Sequence, residues 1–334
     1  MSLSREVRES AKYYLLELIS RKESDIVNRT TDAFSVSKVT VYKYLNDLTE
    51  QGILDKDGRE YTLHRIIDHT YKYKTADVIS EDAIYINDLR SDLDGISDNS
   101  IGIWEYAISE MINNVIEHSE SKDFYVQIIR DYLNTTVIIR DRGIGIFKKI
   151  ADYYKFSSLD YAVEELFKGK LTTSAENHSG EGIFFTSRVM DLFAAFSSGK
   201  CFTHNKFSDL IIQDEGELID QGTLVFMRLA NNTNKTLRSV FDEYADVDGG
   251  FTRTRIPLRN IFETFPVSRS QAKRLSKRFE DFEEVVLDFE DISDMGQGFA
   301  HELFTLYAAK HPEVKLIPIN TNESVQRMIY HVTH

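Results

Sequence analysis

Ser109-Glu110-Met111-Ile112-Asn113-Asn114-Val115-Ile116-Glu117-His118-Ser119 places a carboxylate and a carboxamide four residues apart within an apolar helical pattern. At 3.6 residues per turn, Glu110 and Asn114 share one helix face. A carboxylate there can take a proton from water. An amide oxygen one turn away can hold a hard cation such as Mg²⁺. Two glycine-bearing stretches follow, Ile138-Ile139-Arg140-Asp141-Arg142-Gly143-Ile144-Gly145-Ile146 and Ser179-Gly180-Glu181-Gly182-Ile183. Together the three stretches point to a nucleotide site within an α+β fold.

The 334 residues suffice for two or three domains with their own cores. A hydrophobic fraction of 42% and a charged fraction of 28% are those of an ordinary globular protein. A single cysteine, Cys201, leaves no internal disulfide and predicts a reducing, cytoplasmic setting. With no charged-then-apolar leader and no 18-residue apolar run, no membrane partner is expected. The net charge of −14 argues against broad nonspecific nucleic-acid binding. Residues 1–64 are nearly neutral, with 10 basic and 11 acidic side chains, so DNA would repel them least.

Residues 4–64 read as three helices and a hairpin. Val7, Ala11, Tyr14, Leu15 and Ile19 recur at helical spacing. Ser24 is placed as the cap of a second helix running to Ala33. Ser37 caps a third, Lys38 to Gln51, with Val41, Tyr44, Leu45 and Leu48 inward and Gly52 at its end. The Asp57-Gly58 turn joins two short strands. Residues 65–80 read as a polar connector or an extra strand pair. Beyond them come helices over Ile84–Leu93 and Ser100–His118, then a hairpin of Phe124–Arg130 with Thr135–Arg140. Gly182–Phe196 reads as a core helix, and Leu210–Ile212 and Thr223–Met227 as strands. That pattern predicts helices on one face of a mixed, mostly antiparallel sheet. Residues 240–334 alternate strand and helix, which predicts a small parallel α/β sheet.

The helix–helix–helix–hairpin order of residues 1–64 resembles a winged helix-turn-helix domain. In that family the third helix enters the major groove. The resemblance implies DNA contacts from Lys38, Thr40, Tyr42 and Lys43, with protein contact as the alternative use. The three motifs within residues 81–235 resemble the boxes of the GHKL ATP-binding fold. Gyrase-type ATPases, sensor histidine kinases and anti-sigma-factor serine kinases share that fold. The resemblance implies ATP or ADP as ligand and Mg²⁺ as cofactor. On it, Asn114 matches the Mg²⁺ ligand and Glu110 the general base. Asp141 matches the acceptor of the adenine amino group, with the Thr223 hydroxyl behind it. Gly143 and Gly145 match the turn beside the base, and Gly180 and Gly182 the glycine pair at a phosphate-binding helix start. His118 lies on the Asn114 face, within reach of phosphates. Lys170, in the segment matching a lid, reaches either a phosphate or solvent. Glu117 and Glu181 read as surface residues or as supports behind the ligand contacts. Many members of that superfamily dimerise, which implies a homodimer as one partner state. No His-Glu-Leu-Arg phosphoacceptor segment and no Gly-x-x-x-x-Gly-Lys-Ser/Thr loop occur. Both absences argue against an ordinary sensor histidine kinase and a P-loop enzyme.

Ser268–Leu275, Leu287-Asp288-Phe289 and Gly296–Phe304 resemble a STAS-like domain of unknown function, a family similar to anti-sigma-factor antagonists. The resemblance implies a module that binds a regulatory protein. The antagonists' phosphorylatable serine would fall near Gln297 or Gly298, and Ser293 is the nearest hydroxyl.

The expected fold is therefore α+β and multidomain: a winged helix over 1–64, a connector over 65–80, a GHKL α/β sandwich over 81–235 and a STAS-like α/β domain over 240–334. The expected function is a cytoplasmic regulator in which Mg-ATP binding or hydrolysis switches DNA or partner binding. Two alternatives stand beside it, a serine/threonine protein kinase of the anti-sigma type and a module that binds nucleotide without turnover.

Overall fold

The computed structural model describes residues 4–170, 181–206, 219, 221–245, 250–262 and 264–334. The chain is α+β, with three sheets. It opens with α1 (Arg5–Ser20), α2 (Ile26–Phe34) and α3 (Lys38–Glu50), followed by the antiparallel pair β1 (Leu54–Asp57) and β2 (Glu60–Leu63). Ser4 and Ser37 cap α1 and α3 by accepting the backbone N–H groups of Val7 and Thr40. The second helix starts one residue later than the sequence suggests. Asp25, in the left-handed conformation, precedes it and holds the Asn28 amide through its carboxylate. Val41, Tyr44, Leu45 and Leu48 pack inward on Ala11, Leu15, Leu16 and Ile19, as their spacing predicts. Leu133 joins this small core from a turn of the central sheet.

The central part follows as β3 (Ile67–Lys74), α4 (Glu81–Ile84), α5 (Asp98–His118), β4 (Asp123–Arg130), β5 (Asn134–Asp141), α6 (Ile146–Tyr154), α7 (Leu159–Lys168), α8 (Gly182–Val189), β6 (Leu192–Ser197), β7 (Lys200–Phe202), β8 (Leu224–Ala230) and α9 (Leu237–Tyr244). Helical turns of other pitch carry α4 on through Leu93. The six strands run in the order β3-β4-β5-β8-β6-β7, and every neighbouring pair is antiparallel. The sheet is thus antiparallel throughout its described strands, not mixed.

Of the two readings of residues 65–80, the strand one holds in part: Ile67–Lys74 is a single strand that pairs along its whole length with β4. The hydroxyls of Tyr71 and Tyr73 donate to Asp92 and Asp88 and tie this strand to the helical layer. The apolar run Gly182–Phe196 is a helix only as far as Val189. Met190 turns extended, and Asp191 enters the β8 ladder, its N–H donating to Arg228 O and its carboxylate accepting the Ala230 N–H. The remaining apolar residues form a strand buried on both faces, which has no polar alternation to reveal it. The long, polar and mixed stretch Phe147–Ser179 holds α7 and all of α6 but its first residue. The Leu210–Ile212 strand lies outside the described residues.

The C-terminal part contains β9 (Arg253–Pro257), α10 (Arg269–Leu275), β10 (Glu284–Asp288), α11 (Gln297–His301), α12 (Ala308–Lys310), β11 (Lys315–Ile319) and α13 (Glu323–Thr333). Its strands are parallel in the order β11-β10-β9, as the strand–helix alternation predicts. The expected helix over Ser268–Phe282 stops at Leu275, and Arg278 adopts the left-handed conformation.

One apolar core runs without interruption from Ile84 through the central sheet to Val325. At the join, the rings of Phe184, Phe185, Phe241, Tyr244 and Phe251 pack edge to face or tilted. Among the described residues no helix is long and apolar enough to cross a membrane. Trp104, the only tryptophan, is buried on the inner face of α5. Its emission should be blue-shifted in the native protein. Trp104→Ala should lower unfolding free energy by about 3–5 kcal/mol in chemical denaturation; a loss below about 1 kcal/mol would contradict this packing.

Candidate functional site

Helix α5 has two faces. One buries Ile108, Met111, Ile112 and Val115 in the main core. The other turns Glu110, Asn113, Asn114, Glu117 and His118 into a cavity. The helix stops where the Ser119 hydroxyl donates to Val115 O at 2.6 Å. The Ser119 carbonyl then accepts the Ile144 N–H at 2.9 Å, which binds the end of α5 to the loop after β5.

Asp141 ends β5 in that loop, and its side chain is buried. The Gly143 N–H donates to its Oδ1 at 2.7 Å. Burial pushes the carboxyl's pKa up, while the Gly143 amide and the Thr223 groups beside it pull it down. Thr223 also accepts the Ile146 N–H at 3.0 Å through its hydroxyl, and so fixes the start of α6. The cavity is lined on its apolar side by Met111, Val115, Ile139, Ile146, Ile150, Leu166, Ile183, Phe184 and Val225.

The glycines mark close approaches. A Cβ on Gly143 would lie 1.8 Å from the Ser119 carbonyl oxygen. Gly145 has φ +81°, and a Cβ there would meet the Ser197 hydroxyl at 2.4 Å. At Gly182 a Cβ would fall 1.9 Å from Glu110 Oε2, so the Glu110 carboxylate sits against the N-terminus of α8. Burial, together with Glu110 and Glu181, raises the pKa of the neighbouring Tyr106 hydroxyl.

Of the residues singled out in the sequence, Glu110, Asn114, His118, Asp141, Gly145, Gly182 and Thr223 line this one cavity. Gly143 shapes the loop from behind. Gly180 lies outside the described residues. Glu117 and Glu181, read as surface residues or supports, line the cavity too. Sequence reasoning missed Asn113 and Lys149. Lys149 was legible only once α6 was known to be a helix, since it follows Ile146 by one turn. Its ammonium pairs with Glu120 at 3.1 Å. Lys170 is half-buried, and its ammonium donates to Asp281 O at 2.7 Å, over the Phe282 ring. On α3, Lys38, Tyr42 and Lys43 are exposed. Thr40 is half-buried and shares a 2.9 Å hydroxyl contact with Ser37.

Residues 271–326 match the family model described as STAS-like domain of unknown function (DUF4325). The matched segment runs from α10 into α13. No curated protein matches the chain.

Two outcomes follow from the Asp141 loop. Because folding raises this carboxyl's pKa, its contribution to stability is greatest at low pH and falls as pH rises through the folded value. Asp141→Asn keeps an oxygen for the Gly143 N–H and removes the titration. The melting temperature of that variant relative to wild type should therefore increase as pH rises above about 4, the ordinary carboxylate value. A difference that does not vary with pH would contradict the burial of this charge. Gly143→Ala, which drives a methyl into the Ser119 carbonyl, should cost about 2–3 kcal/mol in the same assay.

Proposed function

We propose that the cavity binds Mg-ATP and that the chain is a nucleotide-dependent regulator. In this reading residues 81–235 form a GHKL-type ATP-binding unit. A winged-helix unit over 1–64 and a STAS-like unit over 240–334 read its state. The observation that carries it is Asp141, a carboxylate anchored to the Gly143 N–H in a cavity with apolar walls. Adenine is flat, has apolar faces and offers an amino group, and those features match a slot of this kind. Glu110, Asn114 and His118 line the same cavity, and the resemblance assigns them to the phosphate end.

The residues present suit a magnesium nucleotide. Among the described residues no group of three His, Cys, Asp or Glu side chains gathers as a metal cage. Asn114 would hold the Mg²⁺ of a bound nucleotide through its amide oxygen, and the ion would supply charge neutralisation at the phosphates. Bound Mg-ATP supplies an activated phosphoanhydride with its charge partly neutralised. Asn114 orients that end through its amide oxygen. Glu110, beside the start of α8, would accept the proton of an attacking water or hydroxyl. Lys38, Tyr42 and Lys43 lie exposed on α3, which supports DNA contact by the N-terminal unit. Thr40, tied to Ser37, serves the helix cap in this reading.

Incubation with labelled ATP and Mg²⁺, with separation of ADP, phosphate and phosphoprotein, distinguishes hydrolysis, kinase activity and passive binding. Glu110→Ala should retain nucleotide affinity within about threefold and lose turnover by about 100-fold or more. Unchanged turnover in that variant would remove Glu110 as the base. Asn114→Ala should weaken Mg-ATP binding at least about tenfold; unchanged binding would overturn the site assignment.

A further inference from the structure

We propose that the C-terminal α/β unit governs the cavity through a buried charged seam between α7 and α10. The inference rests on the nucleotide reading above and names the regulation of that same site. Leu166 and Gly169, at the end of α7 and just beyond it, are cavity walls. The same stretch of chain faces α10 and the turn after it through a set of ionic contacts. Arg274 Nε donates to the Glu164 carboxylate at 2.8 Å. Glu165 accepts Lys168 Nζ at 2.5 Å and Arg278 Nη1 at 3.2 Å. Lys168 Nζ also donates to Lys277 O at 2.8 Å.

The contacts continue onto the backbone that leads out of the cavity wall. Thr254 Oγ1 donates to Lys168 O, Arg278 Nη2 to Lys170 O, and Lys170 Nζ to Asp281 O. Gly169 and Lys170 are consecutive left-handed residues, with φ +81° and +51°. A non-glycine residue holds that conformation only when its surroundings over-determine it. Here the hydrogen-bonding groups among the described residues, Thr254, Arg278 and Asp281, come from the C-terminal unit. Glu164, Glu165 and Lys168 are buried; burial, with Glu165 beside it, raises the Glu164 carboxyl's pKa, and burial, with Arg278 nearby, lowers that of Lys168.

A buried ionic seam differs from an apolar one in its tolerance of movement. Apolar side chains slide with little loss, whereas buried charges separated from their partners are strongly penalised. The seam therefore has one favourable register. Any partner that shifts α10 must also shift Gly169, and occupancy of the cavity must act back on α10 with equal strength. Lys170 adds to the effect, since the C-terminal unit holds its ammonium against Asp281 and Phe282.

The test uses the full chain with Mg-ATP, read by equilibrium binding and by amide hydrogen exchange. In wild type, saturating Mg-ATP should slow exchange in residues 269–281 at least about threefold. Arg274→Gln with Arg278→Gln should weaken Mg-ATP binding at least about fivefold and abolish that slowing, with native Trp104 emission retained. Should the double variant not fold, Arg274→Gln alone is read the same way. The exchanged pair Glu164→Arg with Arg274→Glu should restore affinity to within about twofold. If wild type binds Mg-ATP but α10 exchange does not change and the variants bind within about twofold, the seam proposal is overturned while the nucleotide reading stands. If wild type binds no nucleotide, both fall.

Discussion

The rest of the site is arranged around one buried carboxylate. Asp141 cannot be ionised inside a protein without donors close by. Three chain segments converge to supply them and to hold one another: the end of α5, the loop from β5 into α6, and the start of β8. Ser119 takes the Ile144 N–H, Gly143 donates to Asp141, and Thr223 takes the Ile146 N–H. Only glycine fits at 143, because the Ser119 carbonyl occupies the space a side chain would need. Satisfying the carboxylate also fixes the position of α5, and therefore of Glu110 and Asn114. In the proposed function, recognition at one end of the cavity and chemistry at the other would thus be coupled through the backbone.

What could be read from the sequence was whatever depends on local spacing. Glu110, Asn114 and His118 fall on one face of a helix because i, i+4 and i+8 do so in any helix. Val41, Tyr44, Leu45 and Leu48 were legible for the same reason, and the parallel C-terminal sheet from its strand–helix rhythm. The parts that were not legible depend on distant partners. β6 is buried on both faces and reads as more helix. β3 alternates Tyr71 and Tyr73 with Thr70 and Lys72, and its polar half hides it among loop residues. Lys170 read as either a phosphate contact or a solvated lysine, because nothing local shows that Asp281 and Phe282 meet its ammonium.

The continuity of the core from Ile84 to Val325 bears on how a regulator of this kind could work. The central and C-terminal sheets share packing, so they do not move as beads on a string. The N-terminal helices have a separate small core and meet the central sheet through Leu133 and the Asn134–Ser20 contact. In the proposed switch, the STAS-like side is thus tightly geared to the cavity, and the α3 side more loosely. The buried charges at Glu164, Glu165 and Lys168 lie on the tightly geared side, where a change of register carries the largest penalty.

The central claim is that Asp141 reads the amino group of adenine. The most direct test compares equilibrium binding of ATP and inosine triphosphate, which differ there by an amino group against a carbonyl oxygen. A carbonyl facing a buried carboxylate leaves both acceptors unpaired, so inosine triphosphate should bind at least about tenfold more weakly than ATP. Equal affinity for the two nucleotides would contradict the assignment of Asp141 as the base-reading residue.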